Sequence, residues 1–553
     1  MRRRLILPIL PLAIAGLVLA GCATQPAATT PAAGTTTTEA TVTAEIDSDL
    51  DADAVLAANE DATVVNDDEW SAADAVDIAL TGSSVSITEA GVYRLSGSLE
   101  GSVVVTAPDD ALVVLILDDA DITNTDGAAI EVVSADDVVI ALADGSENSV
   151  SDASSYADDA AANAAIHVDA DLTVTGSGSL EVSGNGNDGI VSTDDLAILS
   201  GAITVDAADD ALRGKDALVI EGGTLALTAG GDALKSDAAD DATRGYIWIS
   251  GGDVTASSGD DGLAAATDAV VTGGTLELTT IGADGAKGIS AGVVAAIDDG
   301  EVAIDATDDG VHADGSVGIG GATVTVSSRD DGIHAEAALE IRAGSVTVAQ
   351  SEEGLEATDI TIAGGDVDIT ADDDGVNASG GSSSGQGGGG GMADSGETLT
   401  ISGGTLRVEA SGDGLDSNGS MSITGGDTIV FGPTNDGNGA LDSNGGITVS
   451  GGTLLAVGSA GMAESPDAAS PQQWIAASVS GSAGDEIEIT DAAGTVLASV
   501  TAEKAYASVV FTSPDVVDGA AYTVLVDGSA AATATEGTAI AGGMGGGPGA
   551  GRR

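Results

Sequence analysis

Residues 218–236 decide the fold: Leu218-Val219-Ile220, Glu221-Gly222-Gly223, Thr224-Leu225-Ala226-Leu227-Thr228, Ala229-Gly230-Gly231-Asp232, Ala233-Leu234-Lys235-Ser236. Apolar and alternating runs bounded by glycine and aspartate are strands bounded by turns. The Gly-Gly unit returns at Ile401-Ser402-Gly403-Gly404-Thr405-Leu406-Arg407-Val408. The acidic turn returns at Asn187-Asp188-Gly189, Asp209-Asp210-Ala211, Asp260-Asp261-Gly262, Asp308-Asp309-Gly310, Asp330-Asp331-Gly332, Glu352-Glu353-Gly354 and Asp373-Asp374-Gly375. The step is 22 residues from Asp188 to Asp210, from Asp309 to Asp331 and from Asp331 to Glu353, and 21 from Glu353 to Asp374. Such a period is one coil of a solenoid with three short strands and three turns. It is too long for a nine-residue calcium-binding β-roll, lacks a leucine-rich repeat's Leu/Asn ladder, and is half a propeller blade. The expected fold is all-β: a right-handed, three-sided parallel β-helix with a small C-terminal antiparallel β cap.

Outward from this stretch, the repeats run over 166–460, interrupted by a Gly/Ser-rich insertion at 380–397. Residues 66–165 read as an N-terminal β region entering the solenoid, 471–528 as the C-terminal β segment and 529–553 as a disordered tail. Residues 23–65, rich in Ala, Thr, Pro and Asp, read as a flexible linker. At the start, Arg2-Arg3-Arg4 precede an apolar run from Leu5 to Leu19, and Leu19-Ala20-Gly21-Cys22 fits a lipobox. The expectation is a lipoprotein signal peptide over 1–22, lipid on Cys22, and an exported protein anchored at the cell membrane or surface. No other stretch approaches the roughly 20 apolar residues of a span, so membrane contact is expected through the lipid alone. Cys22 is the only cysteine, so no intramolecular disulfide forms.

Lys and Arg number 15 against 89 Asp and Glu, a formal charge of -74, which excludes nucleic acid as a partner. A hydrophobic content of 43% still allows a core, and an aromatic content of 2% excludes a wide stacking platform for sugars. Equivalent positions of successive coils lie about 4.8 Å apart. Two unit charges at that spacing repel by about 0.9 kcal/mol in water and about 3.5 kcal/mol at an effective dielectric of 20. Fifteen bases cannot neutralise the array. Ca²⁺, which takes six to eight oxygens, is the expected cofactor. Its candidate ligands are the turn acids Asp209, Asp210, Asp260, Asp261, Asp308, Asp309, Asp330, Asp331, Glu352, Glu353, Asp373 and Asp374. Asp232, Asp237, Glu356, Asp413 and Asp416 join them. The plain alternative is that these acids cap tight turns ahead of a positive-φ glycine.

Two places after the turn Gly or Ala the coils carry Arg213, Lys235, Ala264, Lys287, His312, His334, Glu356, Asn377 and Asp416. The residue before each is almost always apolar, so this column faces outward. It forms a stripe with bases first, histidines in the middle and acids last. Beside cations, such a stripe suits a polymer bearing carboxylates; the plain alternative is a solvated face. Candidate carbohydrate contacts are Arg213, Lys215, Lys235, Lys287, His312 and His334. Two isolated histidines without cysteine are a weak zinc signal. No G-x-S-x-G elbow, Cys-His pair or phosphate loop occurs.

The arrangement resembles the bacterial carbohydrate-binding parallel β-helix proteins related to a clostridial cellulose- and acid-sugar-binding surface protein. The resemblance runs from about Trp70 to Gly528. It rests on Ala161-Ala162-Asn163-Ala164-Ala165-Ile166-His167, Ala211-Leu212-Arg213-Gly214-Lys215-Asp216, Gly231-Asp232-Ala233-Leu234-Lys235-Ser236-Asp237, Asp330-Asp331-Gly332-Ile333-His334-Ala335, Glu352-Glu353-Gly354-Leu355-Glu356-Ala357 and Asp413-Gly414-Leu415-Asp416-Ser417-Asn418-Gly419. It implies a pectate-lyase-like β-helix, bound Ca²⁺ and affinity for cellulose-like or uronic-acid polysaccharide. Ala211 and Ala233 depart from the pattern, where glycine is usual, and are expected to mark less strained turns. The leading reading is a non-catalytic, monomeric surface protein that binds polysaccharide. The alternative is a calcium-dependent, pectate-type lyase, with Lys235 as base and Arg213 beside it.

Overall fold

The computed structural model describes residues 50–157, 160–282, 285–380 and 394–540. The expected signal peptide, Cys22, most of the expected linker, residues 381–393 of the insertion and the residues beyond 540 lie outside them. The chain winds as a parallel β-helix from Val76–Leu80, paired with Gly91–Glu100, to Asp427–Phe431, paired with Thr453–Gly458. Each coil adds one strand to each of three sheets. In the deciding stretch, Ala217–Ile220 belongs to the first sheet, Thr224–Ala229 to the second and Leu234–Ser236 to the third. The region 66–165 is therefore solenoid already, not an approach to it.

Stacked side chains form the core. Ile198, Ile220, Ile249, Val271, Ile297, Ile319, Ile341 and Ile362 occupy one column of the first sheet. None of them is more than 1% exposed. Burying such a side chain contributes about 1.5–3 kcal/mol, so the column alone gives the solenoid a continuous apolar spine. Thr224–Ala229 alternates exposed and buried along its length, as a strand with one wet face must.

The two glycine turns have different causes. In the Gly-Gly turn the second glycine takes positive φ, +96° at Gly223 and +74° at Gly404, where an L side chain is strained. The glycines of the acidic turns, expected to need positive φ, do not adopt it. They are glycine because the next strand crowds them. A Cβ on Gly310 would lie 2.2 Å from Val326 Cγ1, one on Gly288 2.3 Å from Ile304 Cγ2, and one on Gly414 2.3 Å from Val430 Cγ1. The register explains Ala211 and Ala233. Where Gly189 faces Val205, the equivalent second-sheet residues of the next two coils are Leu227 and Ala256. Ala440 likewise meets Ala456 where Gly414 meets Val430. A β-branched neighbour demands glycine; leucine or alanine leaves room for a methyl group.

The expected linker is corrected over 50–65. Asp51 caps a short helix, α1 (Ala52–Ala58), accepting from Ala54 N–H at 2.8 Å. The Ala52 N–H donates to Asp298 Oδ2 at 2.7 Å. Downstream, Thr63 N–H donates to Asp195 Oδ2 at 2.7 Å and Val65 N–H to Thr173 Oγ1 at 3.0 Å. The segment thus runs as a strap over the outside of the first sheet, back toward its first coils. The cause lies in the sheet. Its outer positions Val114, Val139, Val219, Val270 and Ala296 are apolar, and Val55, Val65 and Trp70 cover them. Trp248 packs under the strap beside Leu56. Val55→Asp is expected to release α1 without unfolding the solenoid. Hydrogen exchange should rise at 52–58 while Ala217–Ile220 stays protected.

At the other end, Tyr506–Thr512 pairs antiparallel with the last solenoid strand, Thr453–Gly458, and with Trp474–Gly481. This closes the growing edge of the second sheet, which would otherwise offer unpaired backbone. Glu486–Thr490, Val496–Thr501, Ala521–Val526 and Ser529–Thr535 form a separate antiparallel sheet. The last strand corrects the expected tail: residues 529–535 pair in register with 521–526 because the turn at Asp527-Gly528, both at positive φ, reverses the chain.

Candidate functional site

The second acid of each turn has a structural role that the sequence left open. Asp210 Oδ1 accepts from the backbone N–H of Asp232 at 2.9 Å, and Asp232 Oδ1 from that of Asp261 at 2.9 Å. Asp188 does the same for Asp210, Asp261 for Lys287, Asp309 for Asp331 and Asp374 for Asp413. In these six coils one carboxylate oxygen thus satisfies an amide of the next coil. The first acid of most pairs faces water: Asp209, Asp260, Asp330, Glu352 and Asp373 are exposed. Turn capping therefore explains one oxygen of Asp188, Asp210, Asp232, Asp261, Asp309 and Asp374. It leaves Oδ2 facing the stripe.

The third sheet sets the stripe. Its outward column reads His167, Val191, Arg213, Lys235, Ala264, Ser290, His312, His334, Glu356, Asn377, Asp416 and Asp442. Lys287 is not in it; Ser290 is. The coil from Asp261 to Lys287 takes 26 residues where that from Asp309 to Asp331 takes 22, so the true turn glycine is Gly288 and not Gly285. Lys287 stands in the turn, where it would otherwise be an Asp, and pairs with Asp308 at 2.9 Å.

In the first half, bases answer the inner acids directly. Lys235 Nζ lies 2.7 Å from Asp232 Oδ2 and 3.0 Å from Asp210 Oδ2. Burial alone would lower the Lys235 ammonium, but these two carboxylates overcome it and hold it well above the usual lysine range. Arg213 binds Asp237 at 2.5 Å, with Asp188 at 3.8 Å, so Asp237 is an ion-pair partner here. Lys215 lies off the column and is exposed. In the middle, His312 and His334 take the same place relative to Asp309 and Asp331.

The last half has no such compensation. Asp413, Asp416 and Asp442 bring carboxylate oxygens within 4.8 Å of one another. Among the described residues no Lys, Arg or His pairs with them. Burial, with the neighbouring acids, raises Asp416 to about 8 and Asp413 to about 7. The same causes raise Glu353 to about 8, Asp374 to about 6 and Glu464 to about 7. Beside them Asn377 is only 8% exposed. Its Nδ2 donates to Glu353 Oε2 at 2.8 Å, and its Oδ1 has no hydrogen-bond partner. The donor set here is oxygen only.

Asp442 and Glu464 were missed as candidates. Leu441-Asp442-Ser443-Asn444-Gly445 repeats Leu415-Asp416-Ser417-Asn418-Gly419 residue for residue, a signal that would have found Asp442. Glu464 lies past the repeat and reaches the site only through the fold, accepting from Ser443 N–H at 3.2 Å.

A family model described as carbohydrate-binding domain-containing protein matches residues 81–332 and 317–468, nearly the whole solenoid. The chain belongs to this family. A carbohydrate-binding domain-containing protein of Acetivibrio thermocellus is 40% identical over 152 residues, 26% of this chain and 53% of that protein. The chain thus spans about half the length of this relative. A solved structure, that of the polysaccharide lyase-like protein from C. thermocellum as a gadolinium derivative, is 28% identical. It covers 45% of this chain and 92% of its own, with a TM-score of 0.35. The third-sheet stripe, from His167 to Asp442, lies wholly inside the matched residues.

Proposed function

We propose that the protein binds a cellulose-like or uronic-acid polysaccharide along the third-sheet stripe, without cleaving it, and that Ca²⁺ occupies the acidic end. The observation that carries this reading is the oxygen-only cluster of Asp413, Asp416 and Asp442 beside the buried, unpaired Asn377 Oδ1. Carboxylates and an amide carbonyl are the ligands Ca²⁺ selects. Asp413, Asp416, Asp442 and Asn377 would hold the ion, which would supply positive charge to sugar carboxylates. Exposed Lys215 would add an ion pair at the basic end. Arg213 and Lys235, already engaged with Asp237, Asp210 and Asp232, would offer their remaining N–H groups. A lipid on Cys22 would hold this surface outside the cell membrane.

The binding reading is preferred to a lyase on one ground. β-Elimination needs a base that can accept a proton, and Lys235 is held as an ammonium by two carboxylates. Immobilised polygalacturonate is expected to retain the protein in Ca²⁺ and release it with chelator. The same polymer in solution is expected to yield no ultraviolet-absorbing unsaturated uronate. Steady growth of that absorbance would overturn the non-catalytic reading; retention in chelator would overturn the role of calcium.

A further inference from the structure

The middle of the stripe has a different donor chemistry from its acidic end. His312 and His334 are register partners on adjacent coils, with ring centroids 5.0 Å apart and planes at 75°. Both turn Nδ1 toward one atom: Asp309 Oδ2 lies 2.8 Å from His312 Nδ1 and 3.8 Å from His334 Nδ1. Asp331 Oδ2 lies 3.2 Å from His334 Nδ1. Zinc-ligand bonds of about 2.0–2.2 Å in a tetrahedron put ligand atoms about 3.3–3.6 Å apart. The observed separations straddle that range.

The geometry points to a site for a borderline divalent ion of the zinc class, held by Nδ1 of His312 and His334 and by Asp309, which bring one ligand atom each within 4.8 Å of one another. Two imidazoles and a carboxylate are ligands for zinc and its first-row neighbours, whereas Ca²⁺ prefers oxygen alone. A second observation supports a metal over a simple ion pair. Asp314 Oδ1 lies 3.2 Å from His312 Nε2. A carboxylate on the far nitrogen is what fixes the tautomer of a ligating histidine and frees its other lone pair. His334 Nε2 is buried with no hydrogen-bond partner, and Glu356 Oε2 stands 4.0 Å away, beyond hydrogen-bond reach. The site does not depend on the polysaccharide or calcium assignments.

The chain has only three histidines, so the test is clean. The full chain is titrated with Co²⁺ in excess Ca²⁺, which saturates oxygen-only sites. One equivalent of Co²⁺ with ligand-field bands of mixed nitrogen–oxygen coordination is expected. His312→Gln and His334→Gln should each abolish the bands, and His167→Gln should leave them intact. Asp314 is a positioning residue whose side chain is 73% exposed, so Asp314→Asn will fold. It should weaken Co²⁺ about 10–100-fold. Absent bands in the parent protein overturn the proposal. So does unchanged Co²⁺ affinity in Asp314→Asn together with either histidine variant that melts like the parent.

Discussion

Stripped of calcium at pH 8, the protein should melt several degrees lower than with calcium, and the difference should vanish toward pH 5. The sign follows from the acidic end of the stripe. Glu353 and Asp416 are raised to about 8, Asp413 to about 7 and Asp374 to about 6, in each case by burial and then by neighbouring acids. A carboxyl group whose folded value exceeds its unfolded value binds its proton more tightly when folded. In calcium-free protein the cost of ionising these groups is fully present above about pH 8. It is relieved as pH falls through 8 to 6 and is gone below the unfolded carboxylate values near 4. The calcium-free melting temperature should therefore climb from pH 8 to pH 5. Calcium bound as proposed would act oppositely, because protons compete for its ligands. An ion at 100 times its dissociation constant adds about 2.7 kcal/mol per site. The Asp413→Asn, Asp416→Asn double variant should raise the calcium-free melting temperature at pH 8 and remove most of the calcium response. Melting curves that fall monotonically from pH 8 to pH 5 without calcium would sink this account.

Gly310→Ala should cost about 1–3 kcal/mol, the usual penalty of overpacking, and Gly262→Ala clearly less. Gly310 faces Val326, whose Cγ1 would be 2.2 Å from a new Cβ; Gly262 faces Leu278, whose nearest atoms would be 3.2 Å away. The close approach of a carbonyl from the next coil, at 2.6 Å, is common to both positions, so only the facing side chain differs. Val326→Ala should rescue Gly310→Ala in part, reproducing the pairing of Ala233 with Ala256. Urea midpoints of the two single variants and the double would decide the matter. Equal losses at 262 and 310 would show that the β-branched neighbour is not the cause.

Much of the fold was legible because strand alternation and turn composition are local. Thr224–Ala229 displays its buried face in its own letters, and Gly223 displays its turn. The strap was not legible. Residues 50–65 carry Val55, Leu56, Val64 and Val65 among alanines and acids with no sustained strand or helix period, and α1 is too brief to hold on its own. It is ordered because Val219, Val270 and Ala296 present an apolar outer face, and those outer positions do not differ from core positions in sequence. The stripe was legible as a column. Lys287 entered it wrongly because counting from the nearest glycine fails where a coil carries extra residues.

By itself the sequence determined the coil period, the three strands per coil, which side chains point inward and the surplus of acid along one set of turns. Each follows from alternation over a few residues. Only the tertiary structure decided what the acids do. Stacking gives one oxygen of most inner Asp residues, Asp188 to Asp261, Asp309 and Asp374, to the amide of the next coil. It sets Lys235 between Asp210 and Asp232, gathers His312 and His334 on Asp309, and leaves Asp413, Asp416 and Asp442 without a base. Those outcomes depend on register between coils of unequal length, and register is fixed only when the core columns stack.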